Sequence, residues 1–315
     1  METLEYKKGI LKSIPASVIA LGFFDGVHIG HRRLLLEAKK EAKRRGLSFS
    51  VFTFASESFG IKSDGGRLYS SSQKCELLDS LGVERTIIAN FEDISELDAE
   101  SFVREVLIGE CSCEMAITGE DFRFGKGASG NTEELRRLMT KYSKSSITVK
   151  DERIDGKKIS TTMIKELLSA GKAREASELL CLPYHFDSEI VHGLGKGKRL
   201  GTPTVNNSLP KDKDFIARGV YLSAIKIADK FYTGITNIGT CPTFEERPVH
   251  AETYILDFSG DLYGRTARIF LLDYIREERR FDTKEELVLE IENNVKLARE
   301  LYDKNKNKFE RIIRS

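Results

Sequence analysis

The sequence predicts an α/β N-terminal half built on a parallel sheet, followed by an antiparallel β-barrel with a terminal helix. Three observations predict it. Short apolar runs alternate with helix-length amphipathic segments through the first half of the chain. Beyond Leu182-Pro183 the apolar periodicity switches to two. The length, 315 residues, suits two domains of ~150 residues each. The division this suggests is 1–182 and 183–315.

"SVIALGFF" (17–24) is an apolar run with β-branched residues and reads as the first buried strand. "RRLLLEAKKEAKRRG" (32–46) reads as a helix with a basic last turn and Gly46 as its stop. "LSFSVFTF" (47–54) is the next strand, and residues 70–82 a helix with Ser70 and Gln73 at capping-box spacing. A strand (84–91), a helix (98–109) and a strand (114–119) follow. In the second half, "SEIVHG", "GVYLSAIKIADKFYTGITNIG", "HAETYILDF" and "RTARIFLLDYI" alternate apolar and polar residues between Gly and Pro breaks, as barrel strands do. Residues 282–301 form a final helix. Thr283 and Glu286 cap it, and Leu287, Ile291, Val295 and Ala298 give it one apolar face.

A net charge of +1 supplies no general drive toward nucleic acid or anionic membrane. No apolar stretch approaches the ~20 residues that span a bilayer, and "METLEYKKGI" lacks the apolar core of a secretory signal. Cys75, Cys111, Cys113, Cys181 and Cys241 form no CxxC pair, so they read as small buried thiols of a reducing cytoplasm.

Two stretches concentrate chemistry. "GFFDGVHIGH" (22–31) carries His28 and His31 among Gly22, Gly26 and Gly30, between a strand and a helix. In a parallel sheet that junction lies at the ligand edge, where a helix N-terminus supplies free N–H groups to an anion. The glycines let backbone approach a ligand. Zinc is a competing reading, but no third ligand follows at a telling distance. Two packed or solvated histidines are another, and a GxGxxG dinucleotide fingerprint is absent here. "GLGKGKRLGTPTVN" (193–206) alternates glycines with Lys196, Lys198 and Arg199. It is no Walker A loop, since Lys198 is followed by Arg199, yet it can cradle phosphate. A basic hairpin tip is the alternative.

The first stretch resembles the HxGH signature of nucleotidylyltransferases. With "GEDFRFGKG" (119–127) and "ISTTMIKELL" (159–168), it is similar to the bacterial bifunctional riboflavin kinase/FAD synthetase family. The second stretch, "NIGTCPTF" (237–244) and "AETYILDFSGDLYG" (251–264) are similar to that family's kinase half. The resemblance covers residues ~15 to ~300 in the family's order. It implies a Rossmann-like adenylyltransferase domain and a riboflavin kinase barrel.

It also implies roles. His28 and His31 would stabilise charge on the α-phosphate of ATP during adenylylation of FMN to FAD. Gly22, Phe24, Asp25, Gly26 and Gly30, with Ser160, Thr161, Thr162 and Lys165 of a Ser/Thr-rich loop, would bind that nucleotide. Asp121, Phe122, Phe124 and Asn237 would contact flavin. In the kinase half, Gly193, Gly195, Lys196, Gly197, Lys198 and Gly201 would hold ATP. A Pro203-Thr204-Val205-Asn206 turn would bring Thr204 and Asn206 to Mg²⁺. Glu252 would be the base that takes the proton of the riboflavin 5′-hydroxyl. Riboflavin, FMN and ATP are then substrates and FAD a product; no nucleic-acid or membrane partner is expected, and the oligomeric state is open.

The chain departs from the family pattern in several places. "FTFASESFGIKS" (52–63) lacks the usual Pro-His-Pro element, and Phe23 stands where a polar residue is frequent. Lys165 and Lys198 replace arginines, and Asn207 replaces an apolar residue. Two other readings stay open: a riboflavin kinase with a silent first domain, and a non-catalytic flavin, nucleotide or RNA-contacting module.

Overall fold

The computed structural model describes residues 1–11, 14–58, 66–191, 204–239, 249–258 and 262–314. Two compact units divide the chain: one runs to Thr161, and the other starts at Thr162 and includes Gly66. This division falls earlier in the chain than the 182/183 boundary suggested by the sequence.

The first unit contains β1 (Glu2–Tyr6), β2 (Ser17–Leu21), α1 (Ile29–Arg45), β3 (Ser48–Phe54), α2 (Ser71–Ser80) and β4 (Arg85–Ala89). Next come α3 (Ala99–Ser101), continued by a π-helix over Phe102–Glu110, then β5 (Cys113–Gly119), α4 (Thr132–Lys141) and β6 (Ser145–Val149). A two-residue hairpin, β7 (Arg153–Ile154) and β8 (Lys157–Lys158), closes the unit. The six long strands form one parallel sheet in the order β1-β4-β3-β2-β5-β6. β2 lies inside it and is buried at every position, as a run of Ser-Val-Ile-Ala-Leu requires. From β2 the chain winds one way to β3 and β4, then returns past β2 to β5 and β6. That reversal makes the C-terminal end of β2 a switch point, where such sheets bind ligands.

Local chemistry sets the helix ends. Ser70 and Gln73 form a reciprocal capping box on α2. Gly46 ends α1 at φ 66°, a left-handed cap that glycine adopts without strain.

The second unit contains α5 (Thr161–Ser169), whose first residue closes unit one, and α6 (Ala173–Leu180). Its strands are β9 (His185–Val191), β10 (Thr204–Ser208), β11 (Gly219–Ile227), β12 (Lys230–Gly239), β13 (His250–Ile255) and β14 (Thr266–Arg276). They close an antiparallel barrel in the order β10-β13-β12-β11-β14-β9. β11 is buried on both faces. Val220, Leu222 and Ala224 cluster with Ala298 and Phe309 of α7 (Lys284–Arg314), and Ile225 and Ile227 cluster with Ile190 and Ile255. Ser223, Thr236 and Thr253 link their buried hydroxyls in a chain at 2.8 and 3.0 Å, which satisfies them inside an apolar core.

Several sequence expectations need correction. β1 precedes the strand expected to be first, and pairs with β4 at the sheet edge. α1 begins at Ile29, not Arg32, because His28 caps it. The helix at 98–109 is largely π-helical, and α7 runs on to Arg314, anchored by Phe309. The turn over Thr204–Asn206 is part of β10. The loop containing Thr161, Thr162 and Lys165 is the start of α5. Cys111 and Cys113 are buried as expected, but Cys181 is exposed at the left-handed C-cap of α6 and Cys75 is half-buried.

His185 sits in the barrel wall, 2 % exposed, with Nδ1 3.2 Å from the Pro183 carbonyl and its ring 5.0 Å from that of Phe270. Burial, with help from Arg268, lowers its pKa to about 4. The folded state therefore binds fewer protons than the unfolded chain between about pH 6.5 and pH 4. Stability should fall as pH drops through that window, by up to ~3 kcal/mol from this residue. Urea midpoints at pH 7 and pH 5 check this. His185→Phe should show a smaller drop than the parent, and an equal drop would contradict the assignment.

Candidate functional site

The stretch after β2 folds as a tight turn. Phe24, Gly26 and Val27 all take positive φ, at 53°, 84° and 42°. For Phe24 and the β-branched Val27 this is strained backbone, held only because its surroundings over-determine it. Asp25 supplies one restraint. Its buried carboxylate accepts from the Leu68 and Tyr69 N–H groups at 3.0 and 3.1 Å, and its carbonyl accepts from Thr161 Oγ1 at 3.1 Å.

The turn delivers His28 to the N-cap of α1, where Nδ1 accepts from the His31 N–H at 3.4 Å. An accepting Nδ1 leaves the ring proton on Nε2. The His31 ring stacks on His28 at 3.7 Å and 17°, and Phe24 meets it edge-on at 5.3 Å. A Cβ on Gly30 would stand 3.3 Å from the His28 ring, so glycine keeps room for that stack. Burial, then Lys158, lowers the His28 pKa to about 4. Burial and the neighbouring His28 and Lys74 hold His31 well below the usual range, and its Nδ1 is buried without a partner. Both rings are therefore neutral near pH 7, at a helix N-terminus whose N–H groups favour an anion.

Beside the turn lies a cavity of about 350 Å³, within the range of small-molecule sites. Gly22 and Leu21 form one wall, and Phe52, Phe54, Phe91, Phe122 and Phe124 most of the rest. Phe122 and Phe124 are stacked at 5.6 Å. Gly130 bonds Phe124 backbone to backbone, and a Cβ there would strike the Phe124 ring. Arg123 is the one charged side chain among the lining residues.

Not every residue singled out in the sequence reaches this space. Phe124 and Phe122 line the cavity, but Asp121 instead pairs with Lys158, which also pairs with Asp151 at 3.0 Å. Phe24 is fully buried behind His31 and Asp25 is consumed by the turn, so both shape the site from within. Ser160 precedes α5 and Thr161 starts it. Thr162 and Lys165 belong to the second unit, where Lys165 Nζ donates to the Gly66 carbonyl at 2.6 Å.

In the barrel, Glu252 on β13 is half-buried, with Oε1 3.4 Å from His250 Nε2. Strand register aligns position 252 with Asn206 of β10 on one side and Asn237 of β12 on the other. Thr204 lies two residues before Asn206 on the same strand. Oxygen-bearing residues at 204, 206 and 252 suit a hard cation such as Mg²⁺. Gly193, Gly195, Lys196, Gly197, Lys198 and Gly201 lie outside the described residues.

Sequence reading missed Lys74. It is fully buried and donates to the carbonyls of Phe23 and Phe54. In the sequence it is one lysine among the polar residues of an amphipathic helix, and no signal there marks it.

Comparison with known proteins joins the two units. The family model for FAD synthetase matches residues 11–163, and that for riboflavin kinase matches 180–302. A bifunctional riboflavin kinase/FMN adenylyltransferase of Listeria monocytogenes is 31% identical, over 91% of this chain and 93% of its own length. Its Bacillus subtilis counterpart is 32% identical, over 88% and 90%. A crystal structure described as a macrolide-efflux protein from Streptococcus pneumoniae matches the fold with TM-score 0.86 and 27% identity, over 95% of this chain and 99% of that one. Among the described residues, no helix is long and apolar enough to cross a membrane.

Histidine ring carbons followed by NMR in the ligand-free protein should show a His28 midpoint near pH 4. His31 should titrate well below its ordinary value. A His28 midpoint near ~6.5, the unperturbed value, would contradict the buried, neutral pair.

Proposed function

The chain belongs to the bifunctional riboflavin kinase/FMN adenylyltransferase family, and from that membership we propose that the His28–His31 turn and the Glu252 row are its two catalytic centres. The protein phosphorylates riboflavin to FMN and adenylylates FMN to FAD. The stacked histidine pair at the capped start of α1, sharing Gly22 with an aromatic cavity, carries the first assignment.

In adenylyl transfer, an FMN phosphate oxygen attacks the α-phosphorus of ATP and pyrophosphate leaves. Such a reaction needs positioning and charge stabilisation more than covalent help. His28 Nε2–H, oriented by the cap on Nδ1, donates to the α-phosphate oxygen as charge builds. The free N–H groups of α1 and the Ser160–Thr161 start of α5 receive the remaining phosphates. Phe122 and Phe124 bound the space for the flavin ring. Phosphate beside the neutral His31, whose Nδ1 has no partner, favours its protonated form, so ATP binding should take up a proton there while His28 keeps its cap.

In the kinase half, Glu252 accepts the 5′-hydroxyl proton of riboflavin as that oxygen attacks the γ-phosphate. Thr204 and Asn206 would hold Mg²⁺, which when bound neutralises charge on the transferring phosphates. Gly193, Gly195, Lys196, Gly197, Lys198 and Gly201 cradle the rest of that ATP, and Asn237 faces the flavin. We place the functional division near 182/183, a few residues into the riboflavin kinase match that begins at 180; the FAD synthetase match ends at 163. A cytoplasmic setting is supported by the free thiols Cys75, Cys111, Cys113 and Cys181.

His28→Ala and His31→Ala should each cut FAD formation by ~10²-fold or more and leave FMN formation near normal. Glu252→Gln should abolish FMN formation while sparing adenylylation of supplied FMN. Chromatography of flavin products from each variant checks both; wild-type FAD rates in the histidine variants would overturn the first centre. ATP titrated calorimetrically at pH 7, in buffers of different ionisation enthalpy, should show proton uptake that His31→Ala reduces. Buffer-independent heats would contradict the neutral pair.

A further inference from the structure

Lys74 plays no part in either reaction above, yet no described side chain in the first unit is more completely enclosed. It is fully buried on α2, and its ammonium donates to three oxygens: Phe54 O at 2.6 Å, Phe23 O at 3.2 Å and Thr53 Oγ1 at 3.2 Å. Thr53 Oγ1 itself donates to Phe23 O at 2.9 Å. A buried ammonium is costly unless each N–H finds an acceptor, and here all three do. Phe23 lies just past the end of β2, and Thr53 and Phe54 end β3. Lys74 therefore joins two adjacent strand ends at the ligand edge of the sheet.

The grip extends along the segment that leads into α2. Lys74 Nζ and Arg67 Cζ each lie 4.8 Å from the centre of the Phe23 ring. Just beyond Arg67, the Leu68 and Tyr69 N–H groups hold the Asp25 carboxylate. The chain is thus fixed at Phe23 and at Asp25, on either side of Phe24 at φ 53° and just before Val27 at φ 42°. Strained backbone of this kind persists only where its neighbours leave it no alternative. His28 is the next residue after this strained turn.

We propose that Lys74 is a positioning residue for adenylyl transfer: it holds the Phe23 carbonyl against the end of β3 and so fixes the strained turn that presents His28 and His31. The proposal rests on the assignment of those histidines to adenylyl transfer. Three acceptors require three N–H donors, which only the ammonium supplies; a neutral amine turns its lone pair on one of the oxygens. Asp25, Glu57 and Cys75 favour the charge and Arg67 opposes it, while burial brings the pKa down to about 8. The clamp should therefore loosen as pH rises through that value.

The test uses the full chain with Lys74→Met, Thr53→Val and His28→Ala variants. FAD formation from FMN and FMN formation from riboflavin are measured across pH, with His31 ring titration by NMR. Lys74→Met should lose ~10²-fold in kcat for FAD formation, the scale of a ~1 Å misplacement, with KM for FMN little changed. Its FMN formation should be unaltered, and its His31 should titrate higher, since the Lys74 charge lowers it. Wild-type FAD formation should show an alkaline limb near pH 8 that kinase activity lacks and Lys74→Met does not show. If Lys74→Met does not fold, Thr53→Val, which removes one acceptor and the bond to Phe23 O, carries the test with a ~10-fold loss in kcat.

Wild-type kcat in Lys74→Met, or in Thr53→Val where that variant stands in, would overturn the proposal, as would equal losses in both activities. With His28→Ala inactive, such a result removes only the role of Lys74. A fully active His28→Ala removes the site assignment and the proposal with it.

Discussion

The first unit depends on one junction, the passage from β2 into α1. Helices leave their first N–H groups without partners, and here a histidine side chain supplies one of them. That single acceptor role does two things. It starts α1 directly at the edge of the sheet, and it fixes which nitrogen of His28 carries the proton. The proposed catalytic role thus draws on the ring that caps the helix: Nδ1 is spent on the fold, and the proton is left on Nε2. The strain at Phe24 and Val27 is what brings the ring to the cap, and Asp25, Phe23 and their partners hold that strain in place.

Neutral histidines at the proposed phosphate site look unsuited to that ligand until the timing of charge is considered. A protonated pair without an anion beside it would be buried near Lys158 and Lys74, at high cost. In the proposed reaction His28 stays neutral and donates through Nε2–H, and His31 gains charge only when phosphate arrives. The barrel solves a different problem. Its proposed base, Glu252, is half-buried on a strand, in register with positions 206 and 237 of the two neighbouring strands, so its placement comes from the sheet rather than from a strained turn.

Much of this was legible in the sequence. Periodicity located the long strands and helices because one face of each is buried against a partner, and the capping box at Ser70 and Gln73 formed as spaced. The HxGH spacing marked the turn after β2, since its glycines and histidines come together within one stretch of chain. What escaped depends on distant residues. β1 reads Glu-Thr-Leu-Glu-Tyr, a polar edge strand with too little apolar pattern to announce itself. β10 lies beside a glycine- and proline-rich stretch that reads as a turn, and only pairing with β13 and β9 makes it a strand. Beyond Tyr302 the end of α7 opens with the polar run 303–308, which reads as a charged tail, yet Phe309 just after it docks on the barrel cluster. Lys74 was the least legible of all: its burial is decided by the ends of β2 and β3, 51 and 20 positions away in the chain.

The central claim is that a capped, neutral histidine turn and a strand carboxylate give one chain two consecutive reactions. Purified protein incubated with riboflavin, ATP and Mg²⁺, with flavins resolved by chromatography over time, tests it most directly. FMN should rise first and then be converted to FAD as pyrophosphate is released. FMN accumulating to completion with no FAD, or no flavin product at all, would contradict the account.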